Sequence, residues 1–408
     1  MRVPIAERLR AVVAAVGRNS VIMLGASIPV SVALDNVLIA LIALCWLLDR
    51  DWHAKLQTAR DNPVAAAALL LFAVLGIGAL YPAGNAATLL KYIDLLLVPA
   101  FMHFFRDART RRRALILFCS AACASVVVSY MAHWNLLANG RWLPGTLENP
   151  SGFKNSITHN LIVALASYLF ALFALKEQNT GRRALFIVLS LLAAHNVIFM
   201  VYGRTGYLVV AALFTYLALA HFGRRGFFYV SLIMAATFAT AYSTSNTFHQ
   251  RIDSALDETS TWRSNAAAST SVSLRLEWYA HTINVIREHP LAGTGTGSFP
   301  AVYAKEVEGR GMLATVNPHN EYLLLTVQTG LVGLICLLFL FFRQWRSAVQ
   351  LATVEDRHLA RGLVLTFAIG CLFNSLLIDH TEGLLFAWMS GLLFTTIAAE
   401  KRPAVAGS

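Results

Sequence analysis

The sequence is short of charge: only 13% of its 408 residues are Asp, Glu, Lys or Arg, whereas 57% are hydrophobic. Soluble domains carry about 25% charged residues, so this shortage excludes an ordinary soluble enzyme and indicates a membrane protein. The mean hydropathy of +0.58 agrees. The net charge of +11 is explained without a nucleic acid partner, because the cytoplasmic loops of membrane proteins are rich in Lys and Arg.

Cysteine and ligand motifs are scarce as well. The five cysteines all lie in apolar runs, where they behave as small hydrophobes and form no secreted disulfide framework. No D-x-D, H-E-x-x-H or Cys/His pattern occurs, so we expect no metal and no other cofactor. The segment Gly293-Thr-Gly-Thr-Gly297 lacks the G-x-G-x-x-G spacing of a nucleotide site and predicts a tight connector. The absence of G-x-S-x-G argues against a serine hydrolase.

Long apolar runs are what the sequence has in abundance. A helix needs about 20 residues to cross the hydrocarbon core. The stretch 19–48 is too long for one span, and splitting it at Asp35 gives two short ones. The first apolar stretch leads straight into another without a cleavage site, so we expect it to remain as an anchor. Ten further spans are predicted at 63–81, 88–105, 114–134, 156–175, 184–202, 206–222, 227–244, 320–342, 359–378 and 383–399.

The basic residues orient this all-α integral membrane fold of about twelve transmembrane helices. With twelve spans and a cytoplasmic N-terminus, most of the 33 Lys and Arg residues fall in cytoplasmic segments, as the positive-inside rule requires. Merging the first two spans would place most of the basic loops outside. The C-terminus is then predicted to be cytoplasmic too.

One large extracytoplasmic loop, 245–318, is predicted between the ninth and tenth spans. It divides the chain into nine spans (1–244), the loop, and three spans with a short tail (319–408). Its polar opening, 243–273, is interpreted as a loop or mobile cover. An amphipathic helix at about 274–288 follows, with Pro290 just past its end. Such a helix would lie on the membrane surface or roof a cavity.

The most informative motif is Asn317-Pro318-His319-Asn320-Glu321, where this loop enters the tenth span. Asn317 suits an N-cap and Pro318 a first helical position. His319 would then lie in the first turn, where the helix dipole disfavours imidazolium and leaves a neutral imidazole suited to act as a general base. The alternative is an interfacial histidine that only forms local hydrogen bonds.

Arginines at outer span ends are candidate anion ligands. Arg204 lies in a tight outer turn between the seventh and eighth spans, flanked by Gly203 and Gly206, which would let a ligand approach the backbone. An arginine near hydrocarbon normally has an anionic partner or an aqueous cavity. The alternative is snorkelling to lipid headgroups. Arg275 opens the amphipathic helix, and its guanidinium suits phosphate, but a solvated arginine paired with Glu277 or another carboxylate is the simpler explanation.

Three further basic residues are placed where a diphosphate would meet the outer span ends: Lys91, Arg141 and Lys154. For any one of them alone, anchoring at the membrane interface is the simpler explanation.

Three pieces of the sequence, in this order and on these elements, resemble the O-antigen ligase superfamily, which includes ligases, Wzy-type polymerases and protein O-oligosaccharyltransferases. Together they cover roughly 150–345, with one large outer loop between the last two. The pieces are Gly-Arg-Thr-Gly at 203–206; Arg-Leu-Glu-Trp at 275–278 with His-Pro-Leu-Ala-Gly-Thr-Gly at 289–295; and Pro-His-Asn-Glu-Tyr-Leu at 318–323 with Thr-Gly-Leu-Val-Gly at 329–333.

The resemblance implies a GT-C-like glycosyltransferase of the bacterial inner membrane, with its active site facing the periplasm. The implied donor is a glycan on undecaprenyl pyrophosphate. In ligases, the implied acceptor is a sugar hydroxyl of the lipid A core in lipopolysaccharide biosynthesis. The implied reaction is a metal-independent, inverting transfer.

The resemblance also implies residue roles. His319 matches the candidate catalytic base, and Arg204 and Arg275 match the diphosphate-binding arginines. Lys91 and Lys154 match such residues less clearly. Two more residues would orient the histidine or the acceptor, although helix capping explains them nearly as well: Asn320 and Glu321.

Other functions fit less well. A polymerase uses the same donor with a second lipid-linked glycan as acceptor, and the single large loop and short tail favour the ligase. A protein O-oligosaccharyltransferase is third, since no sizeable extension follows residue 400. A transporter would need ionised groups near midmembrane and broken helices in paired repeats, whereas here the charges concentrate at span ends.

Overall fold

The computed structural model describes residues 5–137, 145–146, 148–244, 249–250, 252–253, 271–310 and 312–397. Within these residues all regular structure is helical. Fifteen α-helices are described: α1 Ile5–Ser27, α2 Val32–Leu48, α3 Trp52–Asp61, α4 Pro63–Ala79, α5 Ala86–Leu90, α6 Asp94–Phe104, α7 Ala108–His133, α8 Ser156–Lys176, α9 Thr180–His195, α10 Arg204–Thr244, α11 Ser271–Glu288, α12 Phe299–Glu306, α13 Glu321–Ser347, α14 Val354–Gly370 and α15 His380–Phe394.

Short polar side chains begin many of these helices. Asn62 caps α4 by accepting hydrogen bonds from the amides of Val64 and Ala65, and Pro63 occupies the first helical position. Asn155 does the same at α8. A capping oxygen satisfies amides that have no partner within the helix, and such groups are costly to leave unpaired near lipid. These caps therefore place helix starts at the ends of apolar runs.

Seven of the described helical segments are long and apolar enough to cross a membrane, or eight if the bent pair α2–α3 counts as one span. The predicted number of about twelve spans is larger because it also includes shorter apolar helices and divides one long helix into two spans. Helix α4 is apolar but has only 17 residues, and α14 and α15 have 17 and 15. Helix α10 is a single 41-residue segment that departs from helical geometry at Gly223, between the two spans predicted there. The regular structure of the described residues is thus all helical, as expected of an integral membrane protein, and twelve spans stay a prediction.

The first two predicted spans form a helix pair, but their boundary differs from the expected one. The chain leaves helical geometry at 28–31, and Asp35 lies in the first turn of α2. Ser31 caps α2 by accepting from the amide of Leu34. The break between the two helices therefore lies at the Ser31 cap and not at Asp35. The side chain of Asp35 is fully buried.

The predicted amphipathic helix is confirmed as α11, and α12 follows it. A small apolar cluster fastens both onto the start of α13; its buried members are Val285, Phe299, Tyr303, Val307, Leu324 and Val327. Most of the polar stretch 243–273 lies outside the described residues.

The glycine-rich segment 293–297 is a connector, as predicted, and it is inserted between α4 and α13. The amides of Thr294 and Gly295 donate to the carbonyls of Val327 and Gln328, at 2.8 and 2.9 Å. The amide of Thr296 donates to the carbonyl of Gly78 in α4 at 3.0 Å. These bonds hold the end of α11 against two apolar helices.

Helix α13 is broken where the connector meets it. Gly330 has φ 65° and ψ −163°, which interrupts the helix. The carbonyls of Val327 and Gln328, which accept from the connector, lie before the break, and the longer apolar part of the helix follows it. The amide of Leu331, just past the break, donates to the carbonyl of Pro290 at 2.8 Å. The outer part of α13, which follows His319, is therefore held separately from the rest of the helix.

Candidate active site

His319 lies just ahead of α13 in an uncommon backbone conformation. Its φ is 54°, in the left-handed region that residues other than glycine adopt uncommonly, although Asn, Asp and His adopt it more often than the rest. Asn317 stabilises this turn, because its Oδ1 accepts from the amide of His319 at 2.8 Å and from the Ser375 hydroxyl at 2.7 Å. The imidazole is half-buried. A strained turn that the surrounding structure enforces is typical of functional sites.

The predicted cap and helix position at this motif are wrong. The N-cap of α13 is Asn320, whose Oδ1 accepts from the amide of Leu323, and the helix begins at Glu321. Asn317 caps a tight turn instead of the helix. His319 therefore precedes the first helical turn, and the helix-dipole argument for its neutrality does not apply as stated.

A neutral His319 is nevertheless favoured, for other reasons. Burial lowers the pKa of its imidazole below the ordinary 6.5, and the positive charge of Arg275 lowers it further. Both effects disfavour the imidazolium ion. Above pH 6.5 the ring is thus neutral and able to accept a proton.

One face of α11 covers this histidine. The indole of Trp278 stacks on the imidazole, with ring centroids 5.2 Å apart and planes 28° from parallel. The hydroxyl of Tyr279 lies 3.1 Å from the carbonyl oxygens of both His319 and Leu372. Arg275 stands one turn earlier, so one helix carries both the predicted anion ligand and the contacts to the predicted base.

Arg204 and Arg275 lie close enough for their charges to interact. Burial lowers the pKa of the Arg275 guanidinium, and the charge of Arg204 adds to this effect. No Asp or Glu of the described segments lies within salt-bridge distance of either guanidinium. The proposed pairing of Arg275 with Glu277 is therefore not formed. Two half-buried arginines with no carboxylate partner in the part of the chain that the structure describes form a site of positive potential suited to an anion.

Arg204 opens α10, and its turn is fixed by neighbouring elements. The Asn149 Oδ1 accepts from the amide of Tyr202 at 2.8 Å. The flanking glycines were expected to admit a ligand, but Asn160 packs against them: an added Cβ would lie 2.4 Å from its Nδ2 at Gly203 and 2.8 Å from its Cβ at Gly206. These glycines thus serve helix packing.

The segment 371–379, between α14 and α15, links the two halves of the site. Asn374 donates to the Thr205 hydroxyl beside Arg204, at 3.1 Å. Ser375 donates to Asn317 in the histidine turn. The carbonyl of Leu372 accepts from Tyr279 and from the Asn320 amide group. Sequence patterns did not single out this segment, because its contacts join residues far apart in the chain.

Asn320 and Glu321 anchor the start of α13. The fully buried Glu321 carboxylate accepts from the Tyr92 hydroxyl at 3.1 Å and from the amide of Leu377 at 2.9 Å. Asn320 combines its capping bond with one to the carbonyl of Leu372. Their described bonds hold the backbone around His319 and do not reach its ring.

Lys154 and Lys91 lie in different surroundings from the arginines. Lys154 is 6% exposed, and its Nζ lies 3.6 Å from the Oδ2 of the fully buried Asp35. It is therefore held as part of a buried ion pair. Lys91 is exposed at the end of α5, within electrostatic reach of Asp379. Arg141, the third basic candidate, lies outside the described residues.

Within the described ranges, no group of three or more His, Cys, Asp or Glu side chains is placed to hold a metal ion. The expectation that no metal is used stays a prediction.

Residues 187–338 match the family model described as O-antigen ligase. The match includes Arg204, Arg275 and His319. This match supports membership of the O-antigen ligase and Wzy superfamily. The resemblance drawn from the sequence motifs is thereby confirmed, and the family match supports, at a coarse level, a membrane-embedded enzyme with a lipid-linked glycan substrate. A comparison with curated proteins finds no match.

Four residues that contact the His319 ring or hold its turn were not predicted to do so from the sequence: Trp278, Tyr279, Asn317 and Ser375. Trp278 and Tyr279 belong to the Arg-Leu-Glu-Trp-Tyr run, and their spacing of three and four from Arg275 places all three on one helix face. That spacing is the signal that would have found them. Nothing in the sequence marks Ser375.

Proposed function

We propose that this protein is an O-antigen ligase of the bacterial inner membrane with its active site at the periplasmic face. It transfers a glycan from undecaprenyl pyrophosphate to a sugar hydroxyl of the lipid A core. In this proposal the fold is GT-C-like, both termini are cytoplasmic, and the reaction uses no metal or other cofactor.

One observation carries the proposal: two half-buried arginines that have no carboxylate partner among the described residues lie within electrostatic reach of a half-buried histidine whose pKa is lowered. A pyrophosphate offers several charged oxygens, and guanidinium groups match their geometry with paired hydrogen bonds. A neutral imidazole beside them is the group needed to accept a proton from a hydroxyl. The family match supports the same chemistry.

The reaction follows from these groups. The acceptor hydroxyl attacks the anomeric carbon, forming the new carbon–oxygen bond as the bond to the pyrophosphate oxygen breaks. His319 accepts the hydroxyl proton. The bonding electrons leave with undecaprenyl pyrophosphate, whose developing charge Arg204 and Arg275 stabilise. Direct displacement inverts the anomeric centre. A bound diphosphate also offsets the charge of Arg275 that acts on His319, and so strengthens the base once the donor is in place.

The glycolipid pattern of cells lacking the protein tests this function. A ligase predicts complete loss of long-chain glycan from lipid A core, restored by the parent gene and not by a His319→Ala variant expressed at equal level. A core that still carries one repeat unit would instead identify a polymerase, because ligation would then be intact. An unchanged pattern would contradict both.

A further inference from the structure

The contacts of α11 with His319 suggest that this helix does more than cover the site. Trp278 stacks on the imidazole ring, and the Tyr279 hydroxyl reaches the backbone carbonyl of the same histidine. One contact restrains the ring and the other restrains the main chain. Together they fix an otherwise unfavourable left-handed turn at φ 54°.

We propose that Trp278 and Tyr279 are positioning residues for His319, so that the helix which binds the donor diphosphate through Arg275 also sets the general base. This inference rests on the proposed function. Arg275 lies three and four residues before Trp278 and Tyr279, a spacing that aligns side chains on one helix face. Anchoring of the diphosphate and placement of the base therefore depend on one rigid element.

Tyr279 joins three separate parts of the site. Its hydroxyl lies within hydrogen-bond distance of the carbonyls of His319 and of Leu372, which belongs to the segment 371–379. Removal of the hydroxyl loosens the histidine turn, which Asn317 still holds, without removing any atom of the base. Because misplacement of a reacting group by about 1 Å costs up to 100-fold in rate, the turnover of Tyr279→Phe should fall roughly 10- to 100-fold.

Trp278 acts on the ring itself and on its solvation. Its indole covers one face of an imidazole whose pKa is lowered mainly by burial. Trp278→Leu exposes that face to water, so the pKa of His319 should rise toward its ordinary value. A base works in its neutral form, so the acidic limb of the rate profile should move to higher pH. Trp278→Phe keeps a stacked ring and should preserve most activity.

Trp278 also packs against the apolar cluster beneath α11, so loss of activity alone would not separate positioning from folding. Tyr303→Phe is the matched control, because it removes a hydroxyl from the same cluster and has no contact with His319 among the described residues. It should turn over at the parental rate. Its activity falling as far as that of Tyr279→Phe would contradict the proposal.

A double-mutant cycle provides the decisive test. Glycan transfer and binding of the lipid-linked donor are measured on detergent-purified parent, Tyr279→Phe, Trp278→Leu, His319→Ala and each double variant with His319→Ala. If the aromatics act through the histidine, they lower turnover in the parent and change little in the His319→Ala background. Donor affinity should remain within about threefold. Equal losses in both backgrounds, or a collapse of donor binding, would overturn the positioning role. The proposed function fails separately, if His319→Ala itself transfers normally.

Discussion

Replacement of Gly330 by alanine tests how the outer half of α13 is held. The added Cβ would lie 2.1 Å from the carbonyl oxygen of Leu291, and the other nearest atoms are also backbone. At φ 65° and ψ −163° alanine is strained as well. Strain of this kind costs about 1–3 kcal/mol, and overpacking adds about 1–3 kcal/mol. Gly330→Ala should therefore lose about 2–6 kcal/mol of stability.

Two other glycines separate these contributions. Gly223 has a similar backbone, with φ 59° and ψ −147°, but an added Cβ meets nothing within 4 Å, so Gly223→Ala should show strain alone. Gly76 lies inside α4 with the same open space and ordinary backbone, so Gly76→Ala should be neutral or gain up to about 1 kcal/mol.

Thermal unfolding of the three purified variants in one detergent gives the ranking. The midpoint should fall most for Gly330→Ala, less for Gly223→Ala, and not at all for Gly76→Ala. The segment that follows α11 packs against α13 at the Gly330 break. Because α11 carries Arg275 and covers His319, Gly330→Ala should also reduce glycan transfer. A Gly330→Ala protein with the same unfolding midpoint as the parent would refute the proposed close packing of the Leu291 backbone against Gly330.

Three further outcomes are expected. Cysteine in place of Arg109 or Arg224 should be shielded from an impermeant thiol reagent in intact cells, whereas cysteine at Ser260 should react; the converse pattern would overturn the orientation. The transfer rate should fall as pH drops below 6.5 and through the lowered pKa of His319, because protonation removes the base; a rate that does not fall on acidification of the folded enzyme would contradict this. Purified enzyme should keep its activity in EDTA, and rescue of a lost activity by a divalent cation would contradict the metal-free reaction.

The sequence was sufficient for features that depend on local patterns. Apolar runs predicted the helical membrane fold, and helical spacing before Pro290 predicted α11. The motifs' resemblance to a known family also predicted that Arg204, Arg275 and His319 act together; the structure brings them within electrostatic reach of one another, and their roles stay a prediction. The fold and α11 follow from composition and periodicity, which are read directly from the sequence.

Features that depend on tertiary contacts were not accessible in this way. The cap of α13 is Asn320 and not Asn317, because Ser375 from a distant segment draws Asn317 into the histidine turn. Lys154 was predicted to bind an anion, whereas the structure places its ammonium group beside the carboxylate of Asp35 in α2. In each case the deciding partner lies far away in the chain, and no local pattern identifies it.

The central claim is that His319 is the base and that the two arginines hold the pyrophosphate. Donor binding and glycan transfer, measured side by side on purified variants that fold like the parent, test it most directly. His319→Ala should bind the lipid-linked donor nearly normally and lose about 10²–10⁴-fold in transfer rate. Arg204→Ala and Arg275→Ala should lose both binding and transfer, with only partial rescue by lysine, which keeps the charge without the paired hydrogen bonds. A His319→Ala enzyme that transfers at near-parental rate, or that loses donor binding as severely as the arginine variants, would contradict the assignment.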